Sequence, residues 1–210
     1  MNPLEMIRVG VFVGNFAPVH RGHTEAATAF MEQMKLDYLF VVPQKVPSHM
    51  ENDPWYNSAV RLKMCELAFG GVDGVVISDA LIRGGEGADT YALLRELSRD
   101  DTRLFLLFGS DAVLDFKSDP HYADILKLAY PAYVRREDDP LITSRIVPLI
   151  TELYQTHGKM FRRIVKDSVD ISSTRIRALV SGGKGGDAEE YLAKEVNEYI
   201  KELGLYNDVK

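Results

Sequence analysis

Residues 9 to 23 constrain the fold most. Val9-Gly10-Val11-Phe12-Val13 is a short, β-branched apolar run, the composition of a parallel strand buried on both faces. Gly14 turns the chain, Pro18 follows, and His20 and His23 stand three apart. Behind them Ala27, Phe30, Met31 and Met34 recur at helical spacing. A strand feeding a helix through a glycine turn opens an alternating α/β chain. It sets the histidines at the mouth of a helix, past the carboxyl end of the first strand, where open α/β sheets bind ligands. A helix N-terminus carries unpaired N–H groups and positive dipole potential, so it suits an anion. Two imidazoles there add donors for a phosphate. HxxH is also half of a metal site, but zinc wants three or four ligands. The only cysteine, Cys65, falls in a separate helix. Spacing alone leaves phosphate binding and a chance pairing both open.

The alternation continues. Strands are expected at about Arg8 to Val13, Tyr38 to Val42, Val75 to Ile77, Arg103 to Phe108, Ala132 to Val134 and Phe161 to Val165. The fourth is the most apolar and is expected at the centre. Helices are expected at about His23 to Lys35, from a cap at Asn57 or Ser58 to Gly70, from a cap at Asp89 through Leu97, and from near Pro120. A helical stretch from Leu141 to Thr156 carries Pro148, which predicts an interruption. Two helices, near Ser173 to Ser181 and Asp187 to Leu203, close the chain. The segments Gln44 to Tyr56 and Arg83 to Ala88 read as loops, the second glycine-rich and mobile. This rhythm predicts a Rossmann-like, doubly wound parallel sheet with helices on both faces and further helices at the C-terminal end. With no repeat or linker, residues 1–210 read as one domain, its C-terminal helical part at about 170–205. Ser181-Gly182-Gly183-Lys184-Gly185-Gly186 follows a helix and lacks P-loop spacing, so it reads as a helix cap and connector.

Composition limits the partners. A net charge of −6 argues against coating nucleic acid, while leaving room for a local basic pocket. No apolar run reaches 18 residues, so no membrane span is expected. No basic segment with an apolar core opens the chain, so a signal peptide is not expected. A lone cysteine excludes an intrachain disulfide framework and suits a reducing cytoplasm.

Gly14-Asn15-Phe16-Ala17-Pro18-Val19-His20-Arg21-Gly22-His23 resembles the GxFxPxHxGH signature of the HxGH nucleotidyltransferases. Ile171-Ser172-Ser173-Thr174-Arg175-Ile176-Arg177 resembles their late ISSTxIR motif, about 150 residues further on. Within that superfamily the chain most resembles the nicotinate-nucleotide adenylyltransferases, over nearly its whole length. Val42 to His49 resembles their substrate loop, Ala88 to Leu97 a helix start, Phe108-Gly109-Ser110-Asp111 a Gly-x-Asp strand end, and Val134-Arg135 the stretch at the next strand.

The resemblance implies a nucleotidyltransferase-type fold and transfer of AMP from ATP to nicotinate mononucleotide, with release of pyrophosphate, in NAD biosynthesis. It implies catalytic roles for His20, His23 and Arg177. It implies an ATP site of Gly14, Asn15, Phe16, His20, His23, Gly109, Asp111, Arg135, Ser172, Ser173, Thr174 and Arg177. His20 and His23 would hold the α- and β-phosphates, Ser173 and Thr174 the β/γ end, and Arg177 the leaving pyrophosphate. Asp111 would accept from ribose hydroxyls. Lys45, His49, Thr90 and Tyr122 would face the acceptor. Mg²⁺ is expected to arrive with ATP, held by phosphates and water rather than by a protein cage. Departures concern the acceptor. Ala17 stands where the family has aspartate, and Met50 where it has a basic residue. The family's tryptophan about ten residues past Gly-x-Asp, which packs on the pyridine ring, is replaced by Asp119-Pro120-His121-Tyr122. The single tryptophan is Trp55. Another acceptor such as phosphopantetheine, CTP in place of ATP, and a non-catalytic nucleotide sensor stand as alternatives.

Overall fold

The computed structural model describes residues 6–46, 53–84, 88–135, 141–166 and 171–207. Six strands form one sheet in the order β3-β2-β1-β4-β5-β6. They are β1 (Ile7–Gly14), β2 (Tyr38–Pro43), β3 (Val75–Ile77), β4 (Thr102–Gly109), β5 (Ala129–Val134) and β6 (Arg162–Ile164). Every pairing is parallel. The chain walks outward from β1 to β3, returns to the middle as β4, and walks out the other way. The sequence therefore changes direction between β1 and β4, the topological switch point at which such sheets open a crevice. As its apolar run demanded, β4 is central.

The helices are α1 (Arg21–Met34), α2 (Ser58–Phe69), the single turn α3 (Ala80–Arg83), α4 (Thr90–Leu97), α5 (Ser110–Asp115), α6 (Tyr122–Leu128), α7 (Ile142–His157), α8 (Ser173–Ser181), the single turn α9 (Gly185–Ala188) and α10 (Lys194–Glu202). Period-two alternation in the strands feeds two cores. On one face Phe12, Phe105 and Leu107 meet Ala26 and Phe30 of α1 and Val196 and Ile200 of α10. On the other, Val9, Val11, Leu104 and Leu106 meet Leu93, Leu94, Ile125 and Ile146. A fully buried side chain such as Phe30 stabilises by about 1.5–3 kcal/mol relative to exposure. Cys65 is free and lies inside the first core; burial pushes its thiol well above its usual range.

Several boundaries differ from the sequence reading. Helix α1 starts at Arg21, with His20 itself as the cap residue. Helix α7 runs unbroken through Pro148. Pro148 lies on the exposed side, while Ile142, Ile146 and Leu153 anchor both halves to the core. The expected last helix is split: α9 and a 3₁₀ turn, Glu189–Tyr191, precede α10. Helix α5 was not expected; Gly109 caps it, and Asp111 sits in its first turn. Asn57 and Asp89 cap α2 and α4 as read, their side chains accepting from backbone N–H groups. Among the described residues no helix is long and apolar enough to cross a membrane.

Candidate functional site

The carboxyl ends of β1 and β4 open into a cavity of about 880 Å³. Gly14 and Asn15 reach it from the end of β1, and Phe108 and Gly109 from the end of β4. A Cβ added at Gly109 would meet nothing within 4 Å, so the chain leaves open space where the two halves of the sheet diverge.

The turn after β1 is built around one side chain. Phe16 has φ 49°, a left-handed conformation that costs a non-glycine residue about 1–2 kcal/mol. Its ring is fully buried. It stands edge-on to Phe12 at 5.3 Å and to His23 at 5.0 Å. Phe16 thus does not line the cavity; it supports a histidine that does. Gly14 and Gly22 are there for close approach. A Cβ on the first would come 3.0 Å from the Phe16 ring, and on the second 3.0 Å from His20 Nδ1.

His20 and His23 lie ring against ring, centroids 3.8 Å apart. The backbone N–H of His20 donates to His23 Nδ1 at 3.2 Å. A neutral imidazole that accepts at Nδ1 carries its proton on Nε2. His23 is therefore set as an Nε2–H donor at the start of α1, alongside the helix N-terminal N–H groups. Both histidines line the cavity.

The late motif is bolted to the early one. Ser173 Oγ donates to the Pro18 carbonyl at 2.9 Å, and Arg177 Nη1 to the Ala17 carbonyl at 2.7 Å. Arg177 Nη2 donates to Thr174 Oγ1 at 3.1 Å. Ser172 caps α8, its hydroxyl accepting from the Arg175 N–H. Ser172, Ser173, Thr174 and Arg177 all line the cavity, as do Asp111, Arg135 and Thr90. The hydroxyl hydrogen of Ser173 is engaged by Pro18, so toward a ligand that oxygen presents lone pairs; donors on this side come from the α8 start and Arg177.

Besides Phe16, three sequence-predicted residues are not cavity-lining or are not described. Lys45 is exposed and outside the lining. His49 lies outside the described residues, as does Met50. Tyr122 is also absent from the lining. As the first residue of α6, it packs edge-on against Phe116 at 6.1 Å and His157 at 5.6 Å. Its neighbours Ser118, Asp119 and Pro120 line the cavity instead, with Phe116.

Other residues were not foreseen. Arg61, on α2, is fully buried. Its guanidinium donates to the carbonyls of Tyr56 (2.8 Å), Asn15 (3.1 Å) and Gln44 (2.9 Å) and to Ser58 Oγ (3.1 Å). It thereby ties the β1 turn to the segment after β2 and to the approach to α2. Gln44 Nε2 donates to Asn15 Oδ1 at 2.7 Å, which leaves the Nδ2 group of this cavity-lining residue as a donor. Lys166, paired with Glu25 at 3.4 Å, adds a cation to the lining. No motif marks either cation; a helical arginine normally reads as surface.

The cytidylyltransferase-like family model matches residues 11–179, which contain both motifs. A relative from Desulfatibacillum aliphaticivorans is 30% identical, over 95% of this chain and 100% of its own. Another from Geotalea daltonii is 31% identical, over 96% and 99%. Both carry the name "probable nicotinate-nucleotide adenylyltransferase".

The chain belongs to the nicotinate-nucleotide adenylyltransferases of the cytidylyltransferase-like family.

The fold agrees. The nicotinic acid mononucleotide adenylyltransferase of Plasmodium falciparum, solved with APC, superposes with a TM-score of 0.68 at 15% identity, over 96% of this chain and 98% of that one. The same enzyme solved with NaAD gives 0.67 at 14% identity and the same coverage. Against the sequence pattern of these adenylyltransferases, the departures keep their places. Ala17 offers a backbone carbonyl to Arg177 rather than a carboxylate to the cavity. The expected tryptophan position is occupied by the Asp119-Pro120 segment, and Asp119 Oδ1 accepts from the His121 N–H at 2.7 Å.

Proposed function

We propose that this chain transfers the adenylyl group of ATP to nicotinate mononucleotide, forming the dinucleotide and releasing pyrophosphate, a step of NAD biosynthesis. The observation that carries this reading is the double bolt between the two motifs. It sets His20, His23, Arg177 and two helix N-termini around one cavity, in a chain whose full-length relatives bear that enzyme's name.

The acceptor's phosphate oxygen attacks the α-phosphorus of ATP, and the bond from that phosphorus to the α–β bridging oxygen breaks. Pyrophosphate leaves with the bond's electron pair. No protein nucleophile is required. The chain's work is positioning and stabilising charge on phosphoryl oxygens. His23, as an Nε2–H donor, and its partner His20 meet the α- and β-phosphates. The N–H groups at the start of α8, beside Ser172, Ser173 and Thr174, meet the β/γ end. Arg177 neutralises the leaving group with a fork that an ammonium lacks. Gly14 and the Asn15 amide close over the triphosphate, Asp111 accepts from the ribose, and Gly109 and Arg135 border the nucleotide. Thr90 and the Asp119-Pro120 segment face the acceptor.

Mg²⁺ supplies charge neutralisation for the triphosphate when bound. Among the described residues no three His, Cys, Asp or Glu side chains gather for a metal ion. The lining instead offers N–H donors suited to phosphate oxygens. An ion arriving with the nucleotide would be held chiefly by its phosphates and water. A cytoplasmic setting, where free ATP and a reducing environment coexist, suits the lone thiol of Cys65.

Incubation with nicotinate mononucleotide and either ATP or CTP, with products identified by mass spectrometry, tests the reaction. ATP should give the adenine dinucleotide and equimolar pyrophosphate. Absence of product with both nucleotides would overturn the reading and favour a nucleotide sensor.

A further inference from the structure

Trp55, the only tryptophan, is missing from the acceptor segment and present at the phosphate end. Its ring lies under the Arg177 guanidinium, with Cζ 5.1 Å from the ring centroid. The indole has its own mount. Tyr56 packs on it at 4.2 Å with a 31° tilt, and Tyr206 stands edge-on at 6.0 Å. Tyr206 is buried against Met64. The Tyr56 carbonyl is gripped by the buried Arg61 at 2.8 Å.

The geometry constrains Arg177 in a specific way. Its two hydrogen bonds, to Ala17 O and Thr174 Oγ1, fix two corners of a planar group. Two points leave rotation about the line joining them. The Cδ–Nε tether limits that rotation, and the indole lying under Cζ limits it further. A cation–π contact through Cζ uses none of the N–H groups, which stay available for an anion. Three of the five donors remain after the two bonds above.

We propose that Trp55 is a positioning residue for adenylyl transfer: its indole sets the plane of Arg177, so that the unused N–H edge faces the leaving pyrophosphate. This rests on the reading above that Arg177 meets phosphate. The indole itself touches neither the reacting atoms nor the acceptor.

Pyrophosphate release by the full chain, with ATP and nicotinate mononucleotide, is measured for Trp55→Leu, Trp55→Phe, Arg177→Ala and the double variant Trp55→Leu/Arg177→Ala. Trp55→Leu should lower kcat about tenfold, as loss of a partly desolvated cation–π contact would. KM for nicotinate mononucleotide should stay within about twofold, and Trp55→Phe should recover most of the loss. In the Arg177→Ala background, Trp55→Leu should remove nothing further, because a residue acting through a partner has no effect once the partner is gone. Independently of turnover, inorganic pyrophosphate titrated into the parent protein should shift the emission of this single tryptophan saturably, and should not do so in Arg177→Ala. That titration decides the matter even if Trp55→Leu fails to fold. Full kcat in Trp55→Leu, equal losses with and without Arg177, or emission indifferent to pyrophosphate would each overturn the proposal. A parent protein that makes no dinucleotide fails the underlying reading instead, and pyrophosphate-dependent emission distinguishes the two.

Discussion

The two ends of the cavity are built differently. At the phosphate end, Ser173 and Arg177 bond to Pro18 and Ala17 across 155 and 160 positions of sequence. His23 takes its tautomer from the His20 N–H, and Phe16 and Arg61 hold the turn from behind. At the other end, Asp89 caps α4, His121 stacks on Tyr91 at 4.7 Å, and His121 Nε2 lies 3.8 Å from Asp89. These contacts organise the wall itself, and what faces the cavity there is Asp89, Thr90, Phe116, Ser118, Asp119 and Pro120. Phosphoryl transfer needs donors of fixed type at fixed spacing, because the charge it stabilises has the same shape in every member of such a family. An acceptor ring needs only a wall of suitable shape and polarity, which many residue sets supply. In the proposed reaction the first end would specify the chemistry and the second would select the acceptor.

Breaking the phosphate end should have the largest effect. His23→Ala removes an Nε2–H donor whose contact strengthens as charge develops. We expect kcat to fall by about 10²–10³ with little change in ATP affinity, measured by pyrophosphate release and by calorimetric titration. His20→Ala should behave similarly, since it also removes the stacked ring. Near-normal turnover in either would mean that the phosphate end does not set the rate.

Arg177→Lys keeps the charge and loses the fork. A lysine cannot reach the Ala17 carbonyl, the Thr174 hydroxyl and a phosphate at once, so kcat should fall about 10- to 100-fold. Activity equal to the parent would reduce Arg177 to a structural link between motifs.

Arg61→Leu tests whether the support behind the turn matters. It strands three carbonyls that share one buried guanidinium. A cost of about 3 kcal/mol would lower Tm by roughly 6–12 °C. KM for ATP should rise several-fold as Asn15 loosens, with KM for the acceptor nearly constant. Equal rises in both would show that Arg61 stabilises the whole cavity rather than one end.

The smallest effect belongs to Tyr122→Ala. Its ring packs on Phe116 and His157, outside the cavity lining. KM for nicotinate mononucleotide should therefore change by about twofold or less. A large, isolated rise in that KM would show that Tyr122 swings into the acceptor end.

The same contrast explains what was legible in the chain. The strand–turn–helix at residues 9–23, the alternation of elements and the central place of β4 follow from periodicity and glycine placement. The two motifs pointed to His20, His23 and Arg177, and these line the cavity. Periodicity did not reveal Arg61, because a lone arginine in a helix carries no sign that it is buried among carbonyls. Nor did it reveal Lys166, which enters the lining from beyond β6 without a motif. Tyr122 was chosen by its place in the sequence beside the missing tryptophan, and position alone did not show that its ring packs on Phe116 and His157, outside the cavity lining. Trp55 appeared unrelated to the chemistry, since 122 positions separate it from the arginine it stacks on. Local pattern fixes elements; contacts between distant segments decide which side chains meet.

In the proposed function a donor-rich phosphate end is joined to an acceptor end that suits a pyridine nucleotide without the tryptophan. Pyrophosphate release from ATP with nicotinate mononucleotide, nicotinamide mononucleotide or phosphopantetheine, compared as kcat/KM, tests it most directly. The highest value is expected for nicotinate mononucleotide, about tenfold or more above phosphopantetheine. Turnover with phosphopantetheine and none with either pyridine nucleotide would contradict it.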